Sequence, residues 1–260
     1  MDKNDFLNVL RQEIATFRSA VSNQNGDWTI KGFIDIAKNI YTISTDTKVI
    51  SKVMELLLFP ELLQFSEKYH LEMILAAQQN FYPDISFRDR DKNIFALDLK
   101  STYRIDENYV NGMTLGTFTG YFRARKSTRN ITFPYESYKG HFVLGIIYSK
   151  KEISVDERRK YSLNEIENIT SVIENLEFFV QEKYRIASDK PGSGNTRNIG
   201  SVTDIDKLIS GSGPFSSHGE AVFDDYWMRY MTGDMARAAG VDQPPYNDLR
   251  SYLKYKSSPK

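Results

Sequence analysis

The chain contains no cysteine among its 260 residues. That absence excludes disulfides, thiol nucleophiles and cysteine-rich zinc sites, and it suits a reducing cytosol. Histidine is almost as scarce: His70, His141 and His218 lie far apart and form no zincin-like or histidine–metal nuclease spacing. Each reads as a surface or satisfied core residue. No apolar run is long, and stretches such as Met54 to Pro60 are far too short to cross a bilayer, so no membrane association is expected. No basic start followed by an apolar stretch is found either, so no signal peptide is expected. There is no excess charge of either sign, with 34 basic and 34 acidic residues. That balance excludes coating an anionic polymer through overall charge and leaves open a local basic surface. The glycines of Gly192-Ser193-Gly194-Asn195-Thr196 lack the Gly-Lys-Ser/Thr ending of a P-loop.

What is present suits a folded domain. Charged residues make up 26% and aromatics 13% of a length that fits one large domain or a domain with a small appendage. Residues 4–21 carry Phe6, Leu7, Leu10, Ile14, Phe17 and Val21 near one stripe, which predicts an amphipathic helix. Residues 28–43 read as a β-hairpin, with Trp28-Thr29-Ile30 and Ile40 to Ile43 flanking Ala37-Lys38-Asn39. Ser44, Thr45 or Asp46 caps a helix along Val49, Ile50, Val53, Leu56 and Leu57, which Pro60 ends or kinks. Glu55 falls off that stripe. Strands follow: Asp84 to Phe87, Ile94 to Tyr103, and the apolar run His141 to Tyr148. Leu163 to Leu176 reads as partly helical, and Phe178-Phe179-Val180 opens another strand. Two loops rich in glycine, 191–200 and 210–219, precede a helix over 221–238 and a short helical tail after Pro244-Pro245. With no repeats and no long linker, the pattern predicts a single α/β (α+β) unit with a hairpin-based appendage.

The chemistry gathers at Tyr82-Pro83-Asp84 and Leu97-Asp98-Leu99-Lys100. Strand side chains repeat every two residues, so Asp98 and Lys100 project from one face, with Ile94 and Ala96, while Phe95, Leu97 and Leu99 face the other way. Two acids and the Leu99 carbonyl suit a divalent cation such as Mg²⁺, and an ammonium beside them suits the water and phosphate of phosphodiester hydrolysis. The bland alternative places Asp84 in a turn and pairs Asp98 with Lys100 on the surface. A carboxylate within an apolar strand argues for the first, because burial without a partner is costly. Positive charge is also local: Lys100, Arg104, Arg123, Arg125, Lys126, Arg129 and Lys139 outnumber Asp106, Glu107 and Glu136 between Leu99 and Gly140. Beside the acid pair, that run suggests phosphate contact.

Several motifs occur in one order: Asp46-Thr47-Lys48-Val49, Gln78-Gln79-Asn80 before Tyr82-Pro83-Asp84, Asp98-Leu99-Lys100-Ser101-Thr102-Tyr103, and Gly192 to Thr196 with Asn198-Ile199-Gly200-Ser201. Together they closely resemble the EcoRV-type group of type II restriction endonucleases, within the PD-(D/E)xK nucleases, over about residues 42–148 and 176–202. The resemblance implies a mixed central sheet flanked by helices. It implies a bacterial cytoplasmic homodimer that wraps double-stranded DNA and cuts both strands of a short palindrome with Mg²⁺, leaving blunt ends. Asp84, Asp98 and Lys100 match catalytic positions, Glu55 matches an accessory acid, and Asp84, Asp98, Leu99 and Glu55 form the implied metal set. Gln78, Gln79 and Asn80 match a loop along the minor groove. Ser101, Thr102 and Arg129 match positions at the DNA backbone. Gly192, Ser193, Gly194, Asn195, Thr196, Arg197 and Asn198 match the loop that reads bases, which suggests GATATC.

Residues 28–43 with part of 150–170 look like a dimerisation subdomain, and 44–149 with 176–260 like the catalytic and DNA-binding part. Arg197 departs from a smaller hydroxyl residue, Phe81 from a histidine, and residues 231–246 align poorly. The alternatives are a structure-specific repair nuclease of the same fold and a DNA-binding protein with an inactive site.

Overall fold

A computed structural model describes residues 1–24, 26–152, 158–192 and 197–258. Ser193 to Thr196 of the glycine-rich loop and residues 153–157 of the 150–170 stretch therefore lie outside the described residues. The chain opens with two helices, α1 (Lys3–Gln12) and α2 (Ile14–Val21), where the stripe predicted one. The break falls at Glu13, whose carboxylate accepts from Lys68 Nζ at 2.6 Å and Tyr69 hydroxyl at 2.9 Å. The apolar stripe survives the break, since Phe6, Leu7, Leu10, Phe17 and Val21 are all buried.

The hairpin is formed by β1 (Gly32–Ile34) and β2 (Ile40–Thr42), so its first strand lies later than Trp28-Thr29-Ile30. Trp28 instead bridges Ser22 and sits in the core at 1% exposure. Helix α3 (Thr47–Lys68) is capped by Asp46, whose side chain accepts from Lys48 N and Val49 N. Pro60 neither ends nor divides it. A proline forfeits one backbone bond, and here Leu58, Leu62 and Phe65 continue the buried side across it.

Strands β3 (Glu72–Leu75), β4 (Ile85–Arg88), β5 (Ile94–Tyr103), β6 (Thr114–Thr117), β7 (Tyr138–Lys150), β8 (Lys160–Tyr161) and β9 (Ile173–Glu182) follow. The central sheet runs β3-β4-β5-β7-β9. Its β5–β7 pair is parallel and the other pairs are antiparallel, which makes the sheet mixed. β9 begins at Ile173, five residues before Phe178, and the helical part of 163–176 shrinks to a 3₁₀ turn at Leu163–Asn168. A second sheet joins β1, β2 and β8, bringing the hairpin and the 150–170 stretch together.

The remaining elements are α4 (Lys183–Ile186), β10 (Ala187–Pro191), β11 (Asn198–Ser201), α5 (Ile205–Ser210), α6 (Glu220–Arg229), α7 (Gly233–Ala238) and α8 (Leu249–Ser257). The helix predicted over 221–238 divides at Tyr230, whose extended backbone leaves its ring against Trp227 and Phe118, and Thr232 caps the restart. β10, β11 and β6 make a third sheet.

The central sheet is covered on both faces. Phe95 and Leu97 face α1, α2 and α3 in one apolar cluster, whereas Ala96 belongs to a second cluster with Val143, Phe179, Tyr226 and Trp227. Gly145 pairs with Lys100 on one side and Phe179 on the other. A Cβ there would come within 2.1 Å of the Phe179 ring, so only glycine allows the two strands and that ring to close together. The centre of the other cluster is Phe6, stacked on Phe95 at 4.4 Å between ring centroids and touching Phe142 and Phe87. Phe6→Ala is expected to cost about 3–5 kcal/mol of unfolding free energy, measured by urea denaturation.

Candidate active site

Asp84 immediately precedes β4, and Asp98 and Lys100 lie two residues apart on β5, the strand that pairs with it. The period-two pleat turns Asp98 and Lys100 to the same face, as the sequence predicts. Asp84 Oδ2 accepts from Leu99 N at 2.7 Å, and Asp98 Oδ1 accepts from Asp84 N at 3.3 Å, so Asp98 is tied to the backbone of Asp84 and Asp84 to that of the residue after Asp98. Three oxygens surround the Lys100 ammonium: Asp98 Oδ2 at 3.1 Å, Leu99 O at 3.3 Å and Asp84 Oδ2 at 3.4 Å. Asp98 is only 4% exposed, which removes the reading of a surface ion pair.

The electrostatics follow from burial and crowding. Burial pushes the Asp84 carboxyl up to about 6; the Asp98 and Glu55 carboxylates push it the same way, while Lys100 and the Leu99 N–H oppose. Burial works against charge on Lys100, but Asp98 and Asp84 outweigh it and hold the ammonium above the usual lysine range. Two carboxylates and a carbonyl form the hard oxygen set that a small divalent cation takes. Among the described residues no group of three or more acidic or histidine side chains is placed to hold a metal, and the oxygens that gather here are those of Asp84, Asp98 and the Leu99 carbonyl.

Glu55 lies on α3, bound to Lys52 Nζ at 2.7 Å. It shares a cavity of about 410 Å³ with Gln78, Gln79 and Asp84, so four of the residues singled out in the sequence are brought together. Asn80 lines a neighbouring cleft of about 820 Å³ with Thr117, Thr119, Tyr121, Arg129, Arg197 and Asn198. That cleft joins one loop residue before Asp84 to the stem of the glycine-rich loop. Arg197 O accepts from Phe118 N and Thr117 Oγ1, and Gly192 N donates to Asn198 O at 2.8 Å.

Two motif residues point elsewhere: the Ser101 hydroxyl pairs with Ser51 of α3 at 2.6 Å, and the buried Thr102 hydroxyl donates to Asn111 O. The basic run also divides. Arg125 pairs with Asp224 at 2.9 Å over the Tyr135 ring, Arg123 donates to Tyr230 O, and Arg104 pairs with Glu177. These three cations serve internal contacts, and Lys126, Arg129 and Lys139 are exposed. His141 is a satisfied core residue, its Nδ1 paired with the Tyr82 hydroxyl at 2.8 Å, and His70 and His218 are exposed.

A family model described as restriction endonuclease EcoRV matches residues 24–257. The chain is 32% identical to the type II restriction enzyme EcoRV of Escherichia coli over 241 residues, covering 91% of this chain and 94% of that protein. The chain belongs to the EcoRV restriction endonuclease family. Membership makes it a type II restriction endonuclease. The solved NlaIV restriction endonuclease is also similar, at 10% identity and a TM-score of 0.45, over 100% of this chain and 98% of that one. Among the described residues of this EcoRV-family chain, no helix is long and apolar enough to cross a membrane.

Sequence reasoning missed Tyr121, Thr117 and Thr119, because neighbours across a cleft leave no periodic trace in the chain. The raised Asp84 pKa has a thermodynamic consequence. The folded carboxyl binds a proton more tightly than the unfolded one, so its ionisation costs stability that returns as pH falls through about 6. In EDTA, Asp84→Asn is expected to melt above the wild type at pH 7, with the gap narrowing by pH 5. Thermal denaturation at the two pH values measures it.

Proposed function

We propose that this restriction endonuclease hydrolyses both strands of duplex DNA at a short palindromic site, in a Mg²⁺-dependent reaction at Asp84, Asp98 and Lys100. The observation that carries the reading is the convergence of Asp84 Oδ2, Asp98 Oδ2 and Leu99 O around the Lys100 ammonium. These oxygens would hold the cation, with Glu55 as an accessory acid across the shared cavity. A divalent cation supplies charge neutralisation at the phosphate and makes water more acidic.

The chain's own groups do the rest. Lys100 orients the attacking water and offsets charge developing on the phosphate, at a site where burial strengthens its field. Asp84 and Asp98 repel the DNA backbone until their charge is balanced, which couples productive binding to the cation. Gln78, Gln79 and Asn80 follow the minor groove and the exposed Arg129 contacts the backbone, whereas Ser101 and Thr102, whose hydroxyls are engaged with Ser51 and Asn111, support the strand rather than touch DNA. The loop from Gly192 through Ser193, Gly194, Asn195, Thr196 and Arg197 to Asn198 reads base edges, with GATATC as the proposed site and blunt ends as the product. Asparagine pairs bidentately with adenine, and glycine lets backbone amides approach groove acceptors.

The protein acts as a homodimer in the bacterial cytoplasm. Support comes from large apolar side chains left exposed on the hairpin and α3, namely Phe33, Ile34, Ile36, Leu56 and Leu63. A second copy would cover such a surface, and a two-fold protein suits a two-fold site. Residues 28–43 with part of 150–170 serve dimerisation in this reading, and the rest of the chain serves catalysis and DNA binding.

Supercoiled plasmid incubated with the pure protein is expected to give discrete fragments with Mg²⁺ and none with EDTA. Sequencing the fragment ends gives the site, whereas cutting confined to branched DNA, or retarded DNA that is never cut, would reject the proposal. Asp98→Ala is expected to keep the fold, by circular dichroism, and lose cleavage. Lys100→Ala is expected to lower the turnover rate by roughly 10²–10³ in a single-turnover assay.

A further inference from the structure

Behind the paired carboxylates lies a second lysine, Lys183, which the hydrolysis described above does not use. It opens α4 directly after β9 and is 2% exposed. Among the described residues its Nζ meets no hydrogen-bond partner. It faces aromatic rings instead, 4.5 Å from the Tyr82 centroid, 5.7 Å from Tyr135 and 5.8 Å from Phe122. The backbone of Gly116 closes the niche: a Cβ at that residue would stand 3.4 Å from Nζ and 2.9 Å from the Tyr121 hydroxyl, and its φ of +87° favours glycine.

A methionine would fill the same space with no ammonium to desolvate, so packing alone does not account for the charge. A cation over a ring face is attracted by the ring's quadrupole, more strongly away from water. The ring it holds is well placed to matter. Tyr82 N donates to Asn130 O, Tyr82 O accepts from Thr132 N, its hydroxyl pairs with His141, and its other neighbour is the stacked Tyr121 ring at 5.2 Å. Pro83 and Asp84 follow directly from this clamped residue.

We propose that Lys183 is a positioning residue for DNA hydrolysis, its ammonium gripping the Tyr82 ring and so fixing Asp84 opposite Asp98. The inference rests on the assignment of Asp84 and Asp98 to the catalytic site. Burial pulls Lys183 down to about 8 against the opposing pull of the Asp98 carboxylate.

The test is Lys183→Met, assayed on a duplex oligonucleotide carrying the site mapped on plasmid. Its readouts are kcat, KM, melting temperature and DNA affinity without divalent metal. A loosened Asp84 is expected to lower kcat about tenfold, with KM and metal-free affinity unchanged and the melting temperature no lower. A lower melting temperature with kcat per folded molecule unchanged would overturn the proposal.

A double-mutant cycle tests the route through the ring. In the Tyr82→Leu background Lys183→Met is expected to have no further effect on kcat, and additive losses would overturn the proposal. Should Tyr82→Leu fail to fold, Tyr82→Phe keeps the ring. Lys183→Met must still lower kcat there, and its failure to do so counts against the ring. Wild-type protein that cuts no DNA removes the catalytic assignment itself. Wild-type protein that cuts, beside Lys183→Met cutting at the same kcat, removes only the role of Lys183.

Discussion

One shared ammonium organises this molecule. Lys100 stands among two carboxylates and a carbonyl, and without it the acids would crowd each other in a poorly hydrated pocket. The arrangement depends on ordinary strand geometry. Asp98 and Lys100 fall on one face because side chains alternate, and Asp84 reaches them because β4 and β5 pair with Ile85 opposite Leu97. Burying a charged triad this way is tolerable only when each member is partnered. The backbone N–H groups of Leu99 and Asp84 supply the remaining partners.

The sheet around the triad serves the same end. β7 lies parallel to β5, with Gly145 opposite Lys100, so no side chain from the neighbouring strand competes for the lysine's space. Apolar clusters pack both faces of the sheet, while Asp84 opens to the cavity it shares with Glu55, Gln78 and Gln79, and Asn80 and Arg129 line a separate cleft. A neutral protein can present such a cleft because its cations are apportioned: Arg104, Arg123 and Arg125 hold the fold together, and Lys126, Arg129 and Lys139 face solvent.

Much of this was legible in the chain. The alternation around Asp98, the apolar run of β7 and the Asp46 cap each follow from a local rule, and each is found where the rule puts it. The motif order around Asp84, Asp98 and Lys100 carried the family. Boundaries were harder to read. Glu13 breaks the first helix because its carboxylate is drawn to Lys68 and Tyr69, more than fifty residues away. Pro60 sits inside a helix because packing on either side outweighs one lost bond. The purpose of Arg125 is invisible without Asp224, which lies about a hundred residues further on. Tertiary partners decide such matters, and local pattern does not contain them.

The stem of the glycine-rich loop has an evolutionary corollary. Gly192 and Asn198 close it by a backbone bond, and β11 pairs with β6 rather than with the strands that carry the acids. The stem therefore belongs to a sheet of its own, apart from the strands that carry Asp98 and Lys100 and that follow Asp84. On the reading proposed for that loop, lineages descended from this scaffold are free to diversify the words they recognise while inheriting one unchanged blade.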